Sequence, residues 1–417
     1  MADEDGAVCP QGRQPSTSLS SMDINDSTLE FIRLHADEDV NQLALRGCKD
    51  PAVDLPFALQ QIQGRQKAKG KLPEYAVHPN VLFPPLVSME QCSSSATAHY
   101  KARLFQGACM ADLSGGFGVD TFAFATTFNQ CHYVEPSHEL CELVRHNAKA
   151  FCINNIQIFE STMEEAFPSL PDVDLIYLDP SRRDAHGNRV VGLRDCTPNL
   201  PDWKARLLEK APKVLVKLSP MLDIRQALGQ LPETAEVHGV AVRGECKELL
   251  FLLTRKACDE VKFHAVNLLE EGAEVFTFSD SEERGAVPQL AAKVGRYLLE
   301  PNAAVLKAGA FKSVAVRHGL SKLHPHTHLY TCDELPEQFP GRKFEVLDVF
   351  DYHKKNAIQH LQGLKHANVS ARNFPMGSVR LQQTLGLADG GDIYLFGATL
   401  ANEKKIIVVC KKSPTNS

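Results

Sequence analysis

Apolar positions recur at helical spacing from Ile24 to about Phe105, as in Phe31-Ile32-Arg33-Leu34 and Asn41-Gln42-Leu43-Ala44-Leu45. A Pro-marked stretch, Pro79 to Pro85, interrupts them before Ser88 to Leu104 resumes the helical pattern. From Gly107 to about Arg255 short β-rich runs alternate with amphipathic stretches. The predicted strands are Ala108–Leu113, His132–Glu135, Ile156–Phe159, Val173–Leu178, Val214–Leu218, Val237–Val242 and Leu249–Leu253. Helical stretches lie between the first six, notably Ser137–Phe151, with Ser137 as its N-cap. This alternation predicts a parallel sheet covered on both faces. Only a short loop, Arg243 to Glu248, separates the last two strands, so they should pair antiparallel.

Two smaller α+β units follow. The first has a helical pattern around Val287–Leu299, flanked by strand-like runs at Val275–Phe278 and Ser313–Val316. The second has strand runs at Phe344–Phe350, Asp392–Thr399 and Ile406–Val409, with a helical run Ser378–Leu385. Residues up to Met22 are polar, with little to bury, and read as disordered. The expected organisation is a disordered start (1–22), a helical region (23–105), an α/β domain (106–257) and small α+β domains at 258–340 and 341–412.

A chain of 417 residues that is 43% hydrophobic, with 45 Lys and Arg against 51 Asp and Glu, is no disordered tail, collagen-like fibre or strongly basic coat protein. Its net charge of −6 is unevenly spread. From Gly341 onward 11 basic residues face 6 acidic ones, giving +5 there and −11 elsewhere. A basic module on an acidic body suits a polyanion, although a solvated surface explains it equally. The 12 Cys include no C-x-x-C pair, the start Met1-Ala-Asp-Glu-Asp5 is acidic, and no apolar run approaches the ~18 residues of a membrane span. A reducing, cytoplasmic setting without membrane attachment is expected.

The sequence Asp112-Leu113-Ser114-Gly115-Gly116-Phe117-Gly118-Val119-Asp120 follows the first strand and opens a helix. Glycines permit a tight turn and close ligand approach, and that context favours a ligand loop over a merely structural turn. Glu135 ends the second strand, where a carboxylate can accept hydrogen bonds from both hydroxyls of a ribose, whether of NAD or of S-adenosylmethionine. Thr121 stands where a dinucleotide fingerprint wants its third Gly, and Asp112 would repel a pyrophosphate but suits an ammonium group. Those features favour S-adenosylmethionine. Asp112 with Gly116 and Gly118 resembles the first motif of class I S-adenosylmethionine-dependent methyltransferases, whose fold is a Rossmann-like seven-stranded sheet ending in an antiparallel strand. The resemblance implies cofactor contacts at Asp112, Ser114, Gly116 and Gly118, with Asp112 near the amino-acid end and Glu135 on the ribose. Ser114 stands where many members have Gly. Thr162 stands near a usual adenine-binding Asp, leaving Ser161 or Glu164 for the adenine.

The buried-strand pattern Asp174–Leu178 runs into Asp179-Pro180-Ser181-Arg182-Arg183-Asp184. A carboxylate at the carboxyl end of a parallel strand lies where open α/β sheets bind ligands, although Asp-Pro also forms ordinary turns. The stretch resembles the (Asp/Asn/Ser)-Pro-Pro-(aromatic) motif of nucleic-acid amino-methyltransferases, which implies that Asp179, Pro180 and Ser181 hold a target exocyclic amine. Ser181 and Arg182 replace the second Pro and the aromatic, so base stacking falls to Arg182, Phe117 or Trp203. Arg182 and Arg183 can equally bind substrate phosphate.

Further stretches are similar to a bacterial methyltransferase family best known from Bacteroidetes, with a ferredoxin-like insert and a THUMP-like C-terminal domain, related to RNA cap guanine-N2 methyltransferases. They are Glu90–Lys101, Lys217-Leu218-Ser219-Pro220, Gly244–Glu248, Arg372-Asn373-Phe374-Pro375 and Gly390–Phe396. THUMP domains bind RNA, so the resemblance implies methylation of a base in tRNA or rRNA, with Lys217 and Arg372 among the substrate contacts. Two alternatives stand: a methyltransferase acting on protein or a small molecule, and a non-catalytic RNA-binding protein that retains the fold. His324, His326 and His328 alternate but lack a spaced acidic or Cys partner, so no metal is expected. Cys246 reads as an inert loop thiol rather than a nucleophile, and Tyr394 and Phe396 share a face as core residues.

Overall fold

The structure is a computed structural model that describes residues 24–180, 193, 196–256 and 258–413. The expected disorder of 1–22 and the residues Ser181, Arg182 and Arg183 lie outside the described residues. Six helices lead in: α1 (Asp26–Leu34), α2 (Val40–Arg46), α3 (Leu55–Lys71), α4 (Pro73–Val77), α5 (Leu86–Gln91) and α6 (Ser95–Arg103). Side-chain caps start several of them, among them Asn25 on α1, Asp54 on α3 and Ser94 on α6.

Strand and helix then alternate through β1 (Gly107–Asp112), α7 (Val119–Phe124), β2 (Phe128–Val134), α8 (His138–Ala150), β3 (Ile156–Phe159), α9 (Met163–Ala166) and β4 (Leu175–Leu178). They continue through α10 (Leu200–Lys210), β5 (Lys213–Leu218), α11 (Ile224–Gln230), β6 (Thr234–Val242), β7 (Glu245–Thr254), β8 (Lys262–Leu268), β9 (Ala273–Ser279) and α12 (Asp280–Gly285). The sheet order is β3-β2-β1-β4-β5-β7-β6-β8-β9. The first seven positions give the expected Rossmann-like methyltransferase sheet, with β7 antiparallel to β5 and β6. The β6–β7 turn is only Arg243-Gly244, both at positive φ, a two-residue hairpin that matches strand twist. Strands β8 and β9 widen this sheet by two, so the Val275–Phe278 run belongs to it.

Successive residues of each strand face opposite sides. Met110, Tyr133, Tyr177, Leu215 and Leu250 pack under α3–α8, whereas Ala111, Ile176, Val216 and Phe251 pack under α9–α11.

The rest of the chain comprises β10 (Tyr297–Pro301), α13 (Ala303–Ala308), α14 (Ser313–Arg317), β11 (Ser321–His324), β12 (Thr327–Cys332) and β13 (Gly341–Asp351). It ends with α15 (Lys354–His360), β14 (Asn368–Arg372), α16 (Ser378–Leu385), β15 (Ile393–Thr399) and β16 (Lys405–Lys412). Its strands form a second sheet, β11-β12-β10-β13-β16-β15-β14. Two local expectations are corrected here. The Val287–Leu299 pattern is no helix: Pro288 lacks a donor, and the segment instead exchanges backbone hydrogen bonds with Lys322 through Gln289 and Ala291. Ser313–Val316 is helix rather than strand, because the carboxylate of buried Glu283 accepts the N–H groups of Phe311, Lys312 and Ser313 where α14 begins.

Candidate functional site

The carboxyl ends of β1, β2 and β4 meet at the glycine loop. Gly115 N–H donates to Val134 O at 3.0 Å, and a Cβ on Gly115 would lie 2.2 Å from the Tyr133 ring. Tyr133 Oη donates to Gly116 O at 2.6 Å, and Gly116 and Gly118 hold φ of +54° and +79°. Only glycine takes such a path cheaply with the ring this close. Asp112 is buried beneath the loop, accepting from Ser114 N at 3.0 Å, Ser114 Oγ at 3.2 Å and Thr121 Oγ1 at 2.6 Å. Burial pushes its pKa up to about 7 against those hydrogen bonds. Asp112 therefore braces the loop from below.

Glu135 faces the cleft. Its Oε2 accepts from Gly116 N and its Oε1 from Ser137 N, both at 2.9 Å, which leaves a lone pair on each oxygen. Ser161, after β3, donates to Thr162 O at 3.3 Å. Thr162 is occupied in a capping box with Glu165 at the start of α9.

Asp179 follows β4, and its N–H donates to Ser114 Oγ at 2.7 Å, tying the two loops together. Its Oδ2 lies 2.6 Å from Lys217 Nζ at the end of β5. Behind this pair is a buried network that sequence reasoning missed. Lys101 on α6 is 0% exposed and reaches both Glu248 oxygens at 3.0 Å, Ser93 Oγ at 3.0 Å and Asp120 Oδ1 at 3.1 Å. Ser93 Oγ also donates to Asp120 Oδ2 at 2.7 Å and accepts from Lys217 at 3.3 Å, and Tyr177 Oη donates to Asp120 at 2.9 Å. Burial works against the charge on Lys217, yet the carboxylates of Asp179, Asp120 and Glu248 outweigh it and hold its pKa above the usual lysine range. Asp120 is likewise buried, but Lys101 and Lys217 keep its pKa low, while burial of Glu248 raises its own. Two ammonium groups thus face three carboxylates, a net charge of −1.

The structure brings Asp112, Ser114, Gly116, Gly118, Glu135, Asp179 and Lys217 together at the carboxyl ends of the strands. Lys217 points at Asp179 rather than lying free for a substrate. Pro180 is buried beside it. Arg372 is elsewhere, on β14 of the second sheet, where it shares buried Glu300 with Arg342. Phe117 is buried against Tyr75 and Phe83, so it cannot stack on a base, and the Arg206 guanidinium lies 4.2 Å over Trp203. Phe396 is fully buried, Tyr394 packs on Phe344, and burial pushes the Cys246 thiol up to about 11. His324 bonds Glu403 at 2.8 Å and accepts from His326 N at 3.0 Å, with the two rings 5.5 Å apart, while His328 stacks on Phe311.

Two family models match the chain, a ferredoxin-like domain over residues 297–340 and a THUMP domain-like one over 341–412. A crystal structure of a candidate methyltransferase from Porphyromonas gingivalis is 33% identical, with a TM-score of 0.85, and the match covers 93% of this chain and 98% of that one. Two strains of Mycobacterium tuberculosis carry an uncharacterised S-adenosylmethionine-dependent methyltransferase 24% identical over 314 residues, 74% of this chain and 82% of theirs.

Proposed function

Since the chain belongs to the S-adenosylmethionine-dependent methyltransferases with ferredoxin-like and THUMP-like domains, we propose that it methylates a base in RNA. The favoured acceptor is an exocyclic amine in tRNA or rRNA. Two features support this site for the cofactor: beyond its chain neighbours Gly116 has no atom closer than 3.8 Å to where a Cβ would sit, and Glu135 keeps acceptor capacity for a diol. S-adenosylmethionine supplies a methyl group already activated as a sulfonium, so the protein's contribution is mainly positioning. In this reading Glu135 accepts from the ribose hydroxyls, Gly116 admits the ligand to the backbone, Gly118 turns the chain at positive φ against Val144, and Ser161 serves the adenine edge. Asp112 and Ser114 act by fixing the loop.

The observation that carries the acceptor assignment is the state of Asp179. Lys217 holds Oδ2 at 2.6 Å, while Oδ1 has no hydrogen-bond partner among the described residues. A pinned carboxylate with one open oxygen accepts an N–H, which would turn the amine lone pair away from the carboxylate, and Oδ1 can take the proton the nitrogen sheds after transfer. Pro180 stiffens this turn, and Ser181, Arg182 and Arg183 are proposed to complete the substrate contacts. RNA is supported by the THUMP-like match and by the charge of +5 from Gly341 onward. The test compares modified nucleosides by mass spectrometry in tRNA and rRNA from a deletion strain and its parent. One methylated nucleoside should vanish, return with the wild-type gene and stay absent with Asp179→Ala. An unchanged nucleoside profile overturns the RNA reading.

A further inference from the structure

Three metal-ligating side chains converge on the face of the first sheet that α6 covers, away from the glycine loop. His238 on β6 and His264 on β8 are register partners, and Thr277 on β9 continues the row. Glu236 stands two residues before His238 on the same face. Its Oε2 lies 3.2 Å from His238 Nε2 and 3.5 Å from His264 Nε2, and the three donor atoms fall within 4.8 Å of one another. A tetrahedral ion with bonds of about 2.0–2.1 Å sets its ligand atoms about 3.3 Å apart, so both carboxylate–imidazole separations match an edge of such a site.

The far nitrogen of each ring is engaged by a hydroxyl. Tyr100 Oη lies 2.7 Å from His238 Nδ1, and Thr277 Oγ1 lies 3.1 Å from His264 Nδ1. With each Nδ1 engaged by a hydroxyl, both Nε2 atoms turn toward Glu236, the outer-shell arrangement that orients metal-bound histidines. His264 Nε2 is buried and, among the described residues, has only the 3.5 Å approach of Glu236 Oε2, longer than a good hydrogen bond, a cost that an ion would remove. Glu236 is 36% exposed, which gives an ion a way in and leaves room for water as a fourth ligand. The two rings are stacked 17° from parallel with centroids 4.4 Å apart, so each must turn about χ2 to aim at a shared ion. By contrast, the exposed group of His138, Glu142 and Glu160 already contains Arg145, whose guanidinium pairs with both carboxylates.

We propose that Glu236, His238 and His264 bind a divalent first-row transition-metal ion, zinc foremost, in a site independent of methyl transfer. A carboxylate with two imidazoles suits zinc, nickel or cobalt better than magnesium or calcium, which take oxygen ligands. Bound there, the ion clamps β8 to β6 beneath α6.

The test uses the full chain, stripped with a chelator and titrated with Zn2+ against a chromophoric competitor. One tight equivalent is expected, weakened at least ~10-fold by His264→Ala and by Glu236→Gln, and about tenfold by Tyr100→Phe, which removes only the outer hydroxyl. Glu236→Gln preserves size at a part-exposed position, so it reports on binding even if His264→Ala misfolds. Zn2+ should raise the melting temperature of the wild type and not of Glu236→Gln. Co2+ should give an intense visible spectrum without a thiolate charge-transfer band. Equal zinc affinity in wild type and variants, a thiolate signature, or no retained ion overturns the proposal.

Discussion

Replacing Lys101 with Met tests whether the cleft rests on a balanced set of buried charges. Lys101 is 0% exposed and spans both Glu248 oxygens at 3.0 Å and Asp120 at 3.1 Å, so the change leaves two buried carboxylates short of a cation. The network moves from −1 to −2, and breaking a buried pair this way costs about 3–5 kcal/mol. That is a large share of the roughly 5–15 kcal/mol that holds a typical protein folded. Adding Glu248→Gln returns the charge to −1, so the double variant should regain about half or more of the loss. The single variant also acquires a pH signature. Burial already raises the Glu248 pKa, and without Lys101 the rise is less opposed. A carboxyl whose folded pKa exceeds its unfolded value stabilises only while protonated, so Lys101→Met loses further stability as pH climbs through that raised pKa. Urea and thermal unfolding of wild type, both single variants and the double variant measure these effects. A Lys101→Met protein as stable as wild type, or a double variant no better than the single, refutes the charge-balance argument.

Asp112 gives a second pH prediction: with a folded pKa near 7 against an unfolded value near 3.8, its contribution is full below about pH 4 and is lost as pH rises through about 7. The wild-type melting temperature should therefore fall between about pH 5 and pH 8, and Asp112→Asn should flatten that slope; parallel curves would exclude Asp112 as the source. Glu135→Gln sets an NH2 against the N–H of Gly116 or Ser137, a donor facing a donor that costs about 1–3 kcal/mol. Calorimetry should show S-adenosylhomocysteine binding weakened roughly 10- to 100-fold, and unchanged affinity would remove Glu135 from the cofactor site. If Arg372 adds a phosphate contact beyond its pairing with Glu300, Arg372→Ala should weaken RNA binding and lower the salt slope by about 0.9, measured by fluorescence anisotropy at several salt concentrations.

The α/β half was legible because its strands are buried on both faces and its helices on one, so each element carries its own period. Ile156–Phe159 and Ser378–Leu385 appear with the bounds expected of them. Polar Glu245–Glu248 hid the true length of the β6–β7 hairpin, because Glu248 is a strand residue turned inward to Lys101. That pair is separated by 147 positions, so no local pattern announces it. The one available signal was Lys101 itself, a charge three residues after Ala98 and one before Ala102 in the stripe that α6 buries. Strand β14 and helix α15 were missed for a related reason: both are short, β14 half-buried along its length and α15 mostly exposed, and lean on neighbours rather than on an internal period. The grouping of Glu236, His238 and His264 was equally invisible, since β6 and β8 become neighbours only when the sheet extends past its seventh strand.

The cleft therefore depends on parts of the chain outside its own sheet. Asp179 is steadied by Ser114 on one side and Lys217 on the other, and Lys217 is steadied through Ser93, which belongs to the segment between α5 and α6. Ser93 and Lys101 reach Asp120 just behind the glycine loop, so the helical region is tied to that loop directly and to Asp179 through Lys217. A network of this kind is a poor source of net stability, because desolvating five charges offsets most of their attraction. What it supplies is geometry: among the described residues Asp179 has one oxygen fixed and one open, and the glycine loop cannot shift without disturbing the groups that fix it. In this protein the helices before the first strand are thus part of the site rather than an appendage to it.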